Sequence, residues 1–157
     1  IEESHEDCAQ LREELLIEYE KNSLVYGSTF AGISDALDYL LELKIPYGVV
    51  TNKPLRFAEP ILTNEPTFKN CRTLVCPDHI SKIKPDPEGI LKGCENLGIS
   101  PSDCIYIGDH IKDLEAGISA GTKVIACYFG YSLKLGDHSK SIQGANNPVD
   151  LIKLIKT

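Results

Sequence analysis

The sequence predicts an α/β fold with a parallel sheet, and three observations predict it. Four short apolar runs rich in β-branched residues read as strands: YGVVT (Tyr47–Thr51), RTLVC (Arg72–Cys76), CIYIG (Cys104–Gly108) and KVIAC (Lys123–Cys127). Between them lie stretches with an apolar residue at every third or fourth position, the period of a helix with one buried face. Pro, Asp and Gly mark the junctions, where helices start and stop. Strands of this kind alternating with helices are the pattern of βαβ units, whose sheet is covered on both faces.

Each element follows in order. Glu2 to about Asn22 places Cys8, Leu11, Leu15 and Tyr19 at helical spacing with charges between them, which predicts an amphipathic helix. A turn at Tyr26–Thr29 leads to a second helix over Ile33–Leu43, with Ile33, Leu37, Leu40 and Leu41 on one face. After the first strand, Pro54 opens a helix to about Leu62. Asp86 and Pro87 are the N-cap and first residue of a helix that stops near Gly98. Ile111–Ala120 is the helix between the last two strands, ended by Gly121, and Asn147 with Pro148 opens a final helix carrying Val149, Leu151, Ile152 and Leu154. Tyr128–Gly136 reads as a loop, and Asp137–Asn147 as a polar, mobile segment.

Composition bounds the function. At 157 residues and 42% hydrophobic content the chain has material for one substantial core. A net charge of −7 argues against nucleic acid or an anionic membrane as the main partner. No apolar run approaches the ~20 residues of a membrane span, and the opening IEESHEDC lacks the order of a signal peptide, so a cytoplasmic protein is expected. Six cysteines (Cys8, Cys71, Cys76, Cys94, Cys104, Cys127) include three in strand-like runs and form no CxxC pair. Reduced, buried thiols are expected in preference to disulfides or a zinc site. The chain contains no Met and opens in mid-helix, which suggests a piece of a longer protein.

In a parallel sheet, ligands bind at the carboxyl ends of the strands. The residues there are Thr51 and Asn52, Asp78 and His79, Asp109 and Asp113, and Tyr128. Asp109 and Asp113, in YIGDHIKDLEAG, have two readings: a helix cap with a solvated acid in the first turn, or a hard-cation site of one or two carboxylates. Lys84, held ahead of a helix by the Pro85 and Pro87 of KIKPDPEG, suits an anion or is a solvated loop side chain. Thr51 offers a hydroxyl beside the free N–H groups of a turn, or is simply a good strand former. His79 and His110 have no partner at ligand spacing and read as surface or supporting residues. Lys53 and Arg56 either meet the anionic tail of a substrate or are solvated at a helix start.

The order and context of the three pieces is the specific signal. VVTNKP, IKPDPEGIL and IYIGDHIKDLEAGISAGTKVIACYFGY resemble motifs two, three and four of the haloacid dehalogenase-like (HAD) hydrolases. Within them they are most similar to the phosphoglycolate phosphatase branch and its relatives acting on N-acetylmuramic acid 6-phosphate. The resemblance implies a Rossmann-like HAD core over residues 26–157 and, over residues 1–25, the last helix of an inserted helical cap. It implies that Thr51 binds the transferring phosphoryl group with Asn52 beside it, that Lys84 neutralises it, and that Asp109 holds Mg²⁺ with Asp113 in support. The partner it implies is a small phosphorylated metabolite. Homo-oligomerisation stays open.

One departure limits the match. The family attacks phosphate with the first Asp of a DxDGT segment that ends a central first strand, and no Asp-x-Asp occurs in these 157 residues. The expectation is a Mg²⁺-dependent phosphomonoesterase in a longer parent, inactive as this chain alone because the nucleophile is absent. Two alternatives remain: a non-catalytic doubly wound domain binding an anion or a protein, and a phosphomutase or dehalogenase of the same family. Coding sequence upstream for a strand ending in Asp-x-Asp-Gly separates the first of these from an enzyme.

Overall fold

The computed structural model describes residues 6–134 and 142–156. Among these the helices are α1 (Glu6–Tyr26), α2 (Ile33–Glu42), α3 (Leu55–Asn64), α4 (Glu88–Leu97), α5 (Ile111–Ala120) and α6 (Pro148–Ile155). The strands are β1 (Val49–Val50), β2 (Leu74–Val75), β3 (Ile105–Gly108), β4 (Lys123–Cys127) and β5 (Gln143–Ala145). All pairings are parallel, β1 with β2 in one sheet and β3–β4–β5 in another.

Alternation along the strands sorts side chains into two layers. Val50 and Tyr106 pack with Ile90 and Cys94 of α4 and with Ala116 and Ala120 of α5, so one helical layer lies under both sheets. On the opposite face Ile105, Ile125, Cys127 and Ala145 meet Ile33 of α2 and Leu151, Leu154 and Ile155 of α6. Leu114, only 1% exposed, joins α5 to Ala126 of β4.

β1 and β3 are not paired with each other. Val49 and Thr51 donate their N–H groups to the carbonyls of Thr73 and Val75 at 2.8 and 2.9 Å. The backbone groups of Val50 therefore point to the other edge of β1, toward β3. The strand order that the resemblance implies keeps these two strands apart, and they are apart.

The structure changes several expectations. Pro54 is the cap residue and not the first residue of α3, while α4 begins one residue after Pro87. Asp86 still serves that end, its carboxylate accepting from the Glu88 N–H at 3.0 Å. Strands β1 and β2 hold their ladder over two residues each, shorter than the apolar runs that announced them. Within the segment expected to be a polar loop, Gln143–Ala145 forms β5; residues 137–141 lie outside the described residues. The first helix forms, though Glu2–His5 lie outside the described residues, and its apolar stripe is not a buried face: Leu11 and Leu15 are 60% and 69% exposed. Tyr19 of that stripe meets a ring, edge-on to Phe57 of α3 at 5.6 Å. The cysteines are free thiols, of which Cys76, Cys94 and Cys127 are buried as expected while Cys8, Cys71 and Cys104 are only half-buried, and the Cys94 and Cys104 sulfurs lie 3.5 Å apart.

Candidate active site

At the carboxyl end of β1 the chain turns through Thr51 and Asn52. The Thr51 hydroxyl oxygen accepts from the Lys53 N–H at 3.1 Å, which fixes the side chain and leaves its proton free to donate outward. Asn52 is committed to Lys84: its amide donates to the Lys84 carbonyl and accepts from the Lys84 N–H, both at 3.0 Å. An Asn is suited to this because it carries a donor and an acceptor side by side.

Lys84 is thereby aimed inward. Its ammonium donates to Asp113 Oδ1 at 2.7 Å, to the Val50 carbonyl at 2.9 Å and to the Tyr106 hydroxyl at 3.0 Å. The three donors of an ammonium are all used, by groups from β1, β3 and α5. Burial pulls the Lys84 pKa down, but Tyr106 and Asp113 outweigh it and hold it above the ordinary lysine value. Burial likewise raises the Tyr106 phenol, and Lys84 offsets that only in part.

Asp113 reaches this position because Gly108 ends β3. A Cβ on Gly108 would overlap the Asp113 side chain. The other Asp113 oxygen accepts from the His110 N–H at 3.1 Å, closing the first turn of α5, while His110 Nδ1 accepts from the Lys112 N–H at 3.0 Å. Asp113 lies in the first turn of α5, as one reading had it, but it is buried and ion-paired with Lys84 rather than solvated, and the cap residue is His110, not Asp109. Asp109 follows Gly108 directly and packs against Gly130, where a Cβ would overlap it. Its Oδ2 accepts from the Tyr131 N–H at 2.9 Å, and among the described residues its Oδ1 has no partner.

A Mg²⁺ ion takes one or two carboxylates, with waters and phosphate oxygens completing the shell. Asp109 fits that demand with its free oxygen. Both Asp113 oxygens are engaged by Lys84 and His110. Among the described residues no cluster of three or more His, Cys, Asp or Glu side chains is placed to hold a metal.

Asn52, Lys84 and Asp113 are joined by hydrogen bonds and an ion pair, while Thr51 and Asp109 each directly follow the last residue of their strand, β1 and β3. His79 and Asp78 go elsewhere: His79 Nδ1 accepts from the Cys76 N–H, and Asp78 accepts from the Leu55 N–H at 2.8 Å, serving the start of α3. Lys53 meets the Tyr19 ring and hydroxyl, and Arg56 lies 3.8 Å from Glu13, so both face α1. Sequence reasoning missed Tyr106. Its hydroxyl was the one polar tip in an otherwise apolar strand, a weak signal but a readable one.

The chain belongs to the haloacid dehalogenase-like hydrolases, whose family model matches residues 2–127. It is 45% identical over 121 residues to N-acetylmuramic acid 6-phosphate phosphatase of Pseudomonas aeruginosa, covering 77% of this chain and 54% of that one. To a phosphoglycolate phosphatase of Xylella fastidiosa it is 33% identical over 118 residues, covering 75% and 52%. The chain spans about half the length of the curated relatives it matches. Among solved structures, a predicted phosphoglycolate phosphatase from Haemophilus somnus superposes with a TM-score of 0.87 at 23% identity, covering 98% of this chain and 69% of that one. A HAD hydrolase of family IA from Entamoeba histolytica gives 0.80 at 21%, covering 98% and 73%. These likenesses establish the fold. No described helix is long and apolar enough to cross a membrane.

Proposed function

We propose that this chain carries the phosphate-facing half of a Mg²⁺-dependent phosphomonoesterase acting on a small phosphorylated metabolite, a sugar phosphate or a phosphoglycolate-like ester. The observation that carries the reading is the Lys84 ammonium, held by three acceptors, one of them the carbonyl of Val50, the residue before Thr51. Thr51 donates to a phosphoryl oxygen, and Lys84 offsets the negative charge that gathers as the ester bond breaks. Asp109 would hold the metal, which supplies charge neutralisation at the phosphoryl oxygens. Asp113 keeps Lys84 charged and fixed. The sugar-phosphate option draws support from the 45% identity to an N-acetylmuramic acid 6-phosphate phosphatase.

The attacking carboxylate belongs, on this reading, to a segment not among these 157 residues, on a strand between β1 and β3. Its oxygen would bond to phosphorus as the ester P–O bond breaks, the leaving alkoxide taking a proton from an acid on the same segment; water then cleaves the aspartyl-phosphate. The last helix of the cap would be α1. The test compares this chain with an upstream-extended version on an aryl phosphate with Mg²⁺. Turnover by the longer protein alone is expected. Equal turnover by both would remove the claim that the nucleophile lies elsewhere, and turnover by neither would remove the phosphatase reading.

A further inference from the structure

We propose that Tyr106 is a positioning residue, whose hydroxyl fixes the Lys84 ammonium between β1 and β3. The inference rests on reading Lys84 as the cation that faces phosphate, and goes beyond it by naming what aims that cation.

The ring of Tyr106 packs against Ile90, Cys94, Ala116 and Ala120, an apolar cluster that Phe would fill equally well. Nothing in that packing calls for a hydroxyl. The oxygen instead lies 3.0 Å from Lys84 Nζ and 3.4 Å from the Val50 carbonyl. A phenol can accept from the ammonium while its own proton points to the carbonyl, so one group ties the cation to both facing strands. A Cβ on Gly117 of α5 would overlap Val124 of β4 at 2.7 Å and come within 3.3 Å of the Tyr106 Cβ, so its lack of a side chain lets α5 lie close over β4 and β3. Asp113 supplies charge from one side, and Tyr106 with Val50 supplies neutral acceptors from the others. With Asp113 as its one charged partner the Lys84–Asp113 pair is neutral overall, and the neutral acceptors add no negative charge toward an incoming phosphate, where a second carboxylate would leave the cluster net negative.

Tyr106→Phe keeps the ring and removes the hydroxyl. Trace acetylation of the folded chain with acetic anhydride, read lysine by lysine by mass spectrometry, reports how firmly Lys84 is held. In the wild type Lys84 reacts more slowly than the exposed Lys82 and Lys92. The variant is expected to raise the Lys84 rate about fivefold, the effect of losing one hydrogen bond, with other lysines unchanged. An unchanged Lys84 rate in a folded variant would overturn the proposal. If the variant does not fold, the wild type decides: a slowly exchanging Lys84 ammonium resonance with a cross-peak to the Tyr106 ring supports the contact, and its absence refutes it. Failure of aryl phosphate turnover in the extended protein would leave this contact standing, whereas an unmoved acetylation rate would leave the phosphatase reading standing.

Discussion

The Lys84 ammonium and the Asp113 carboxylate meet at 2.7 Å with their side chains only 12% and 11% exposed. A pair so far out of water is costly to break, because either partner alone leaves a buried charge without compensation. Asp113→Asn is therefore expected to lower unfolding free energy by about 3 kcal/mol. In a double-mutant cycle with Lys84→Met, urea denaturation should return a coupling of about 2 kcal/mol. A coupling under about 0.5 kcal/mol would mean the pair is no more than a surface contact.

Gly108 is where the site is set by the lack of a side chain. Gly108→Ala brings a methyl group into the Asp113 side chain, so Asp113 must shift and its hold on Lys84 loosens. The expected loss is about 1–3 kcal/mol, with amide shifts at His110 and Asp113. Gly98→Ala is the contrast. That glycine has φ +66° and open space around its Cβ position, so its cost of about 1 kcal/mol comes from the backbone and leaves the Asp113 amide unmoved. Equal shifts in both variants would refute the steric account.

Local chemistry made much of this fold legible. Lys123–Cys127 and Ile111–Ala120 have the bounds their residues announced, because a short apolar run with β-branched Val124 and Ile125 and a helix stopped by Gly121, at φ 78°, leave few options. Strand β5 was not legible: Gln143, Gly144 and Ala145 carry no apolar alternation, and their place depends on pairing with β4. The stripe of α1 misled because periodicity reports a face able to be buried, not what it lies against. Within the site, Thr51, Lys84, Asp109 and Asp113 stood out through the resemblance. The commitment of Asn52 to the Lys84 backbone and of Asp78 to α3 joins residues 32 and 23 positions apart, which no local pattern encodes.

Stability should fall in alkali for a reason seated behind the acids. Burial first, then Asp109 and Asp113, push the Cys127 thiol from 9.0 up to about 12, and burial with Cys104 raises Cys94 to about 11. The unfolded chain releases these protons near pH 9 while the folded chain keeps them. The stabilising contribution is thus whole below pH 9 and lost as pH rises toward the folded values. Each group adds up to ~1.4 kcal/mol of loss per pH unit in that window. Urea midpoints measured at about pH 8 and about pH 10.5 should fall less steeply in Cys127→Ala than in the wild type. Parallel slopes would show that this thiol is not protected.

Asn52 gives the last test, because its two hydrogen bonds to Lys84 are to backbone and not to the ammonium. Removing them should free the peptide that carries Lys84 without touching Asp113 or Tyr106. For Asn52→Ala, the expected loss is about 1–2 kcal/mol, and hydrogen exchange at the Lys84 amide should quicken about tenfold while the β3 amides keep their protection. Asn52→Asp keeps an acceptor for the Lys84 N–H but sets a carboxylate oxygen against the Lys84 carbonyl. It should therefore leave that amide protected and still destabilise the loop. Were the Lys84 amide to exchange at the wild-type rate in Asn52→Ala, the two prolines that follow it, Pro85 and Pro87, would be enough to hold the loop, and Asn52 would be free to contact substrate.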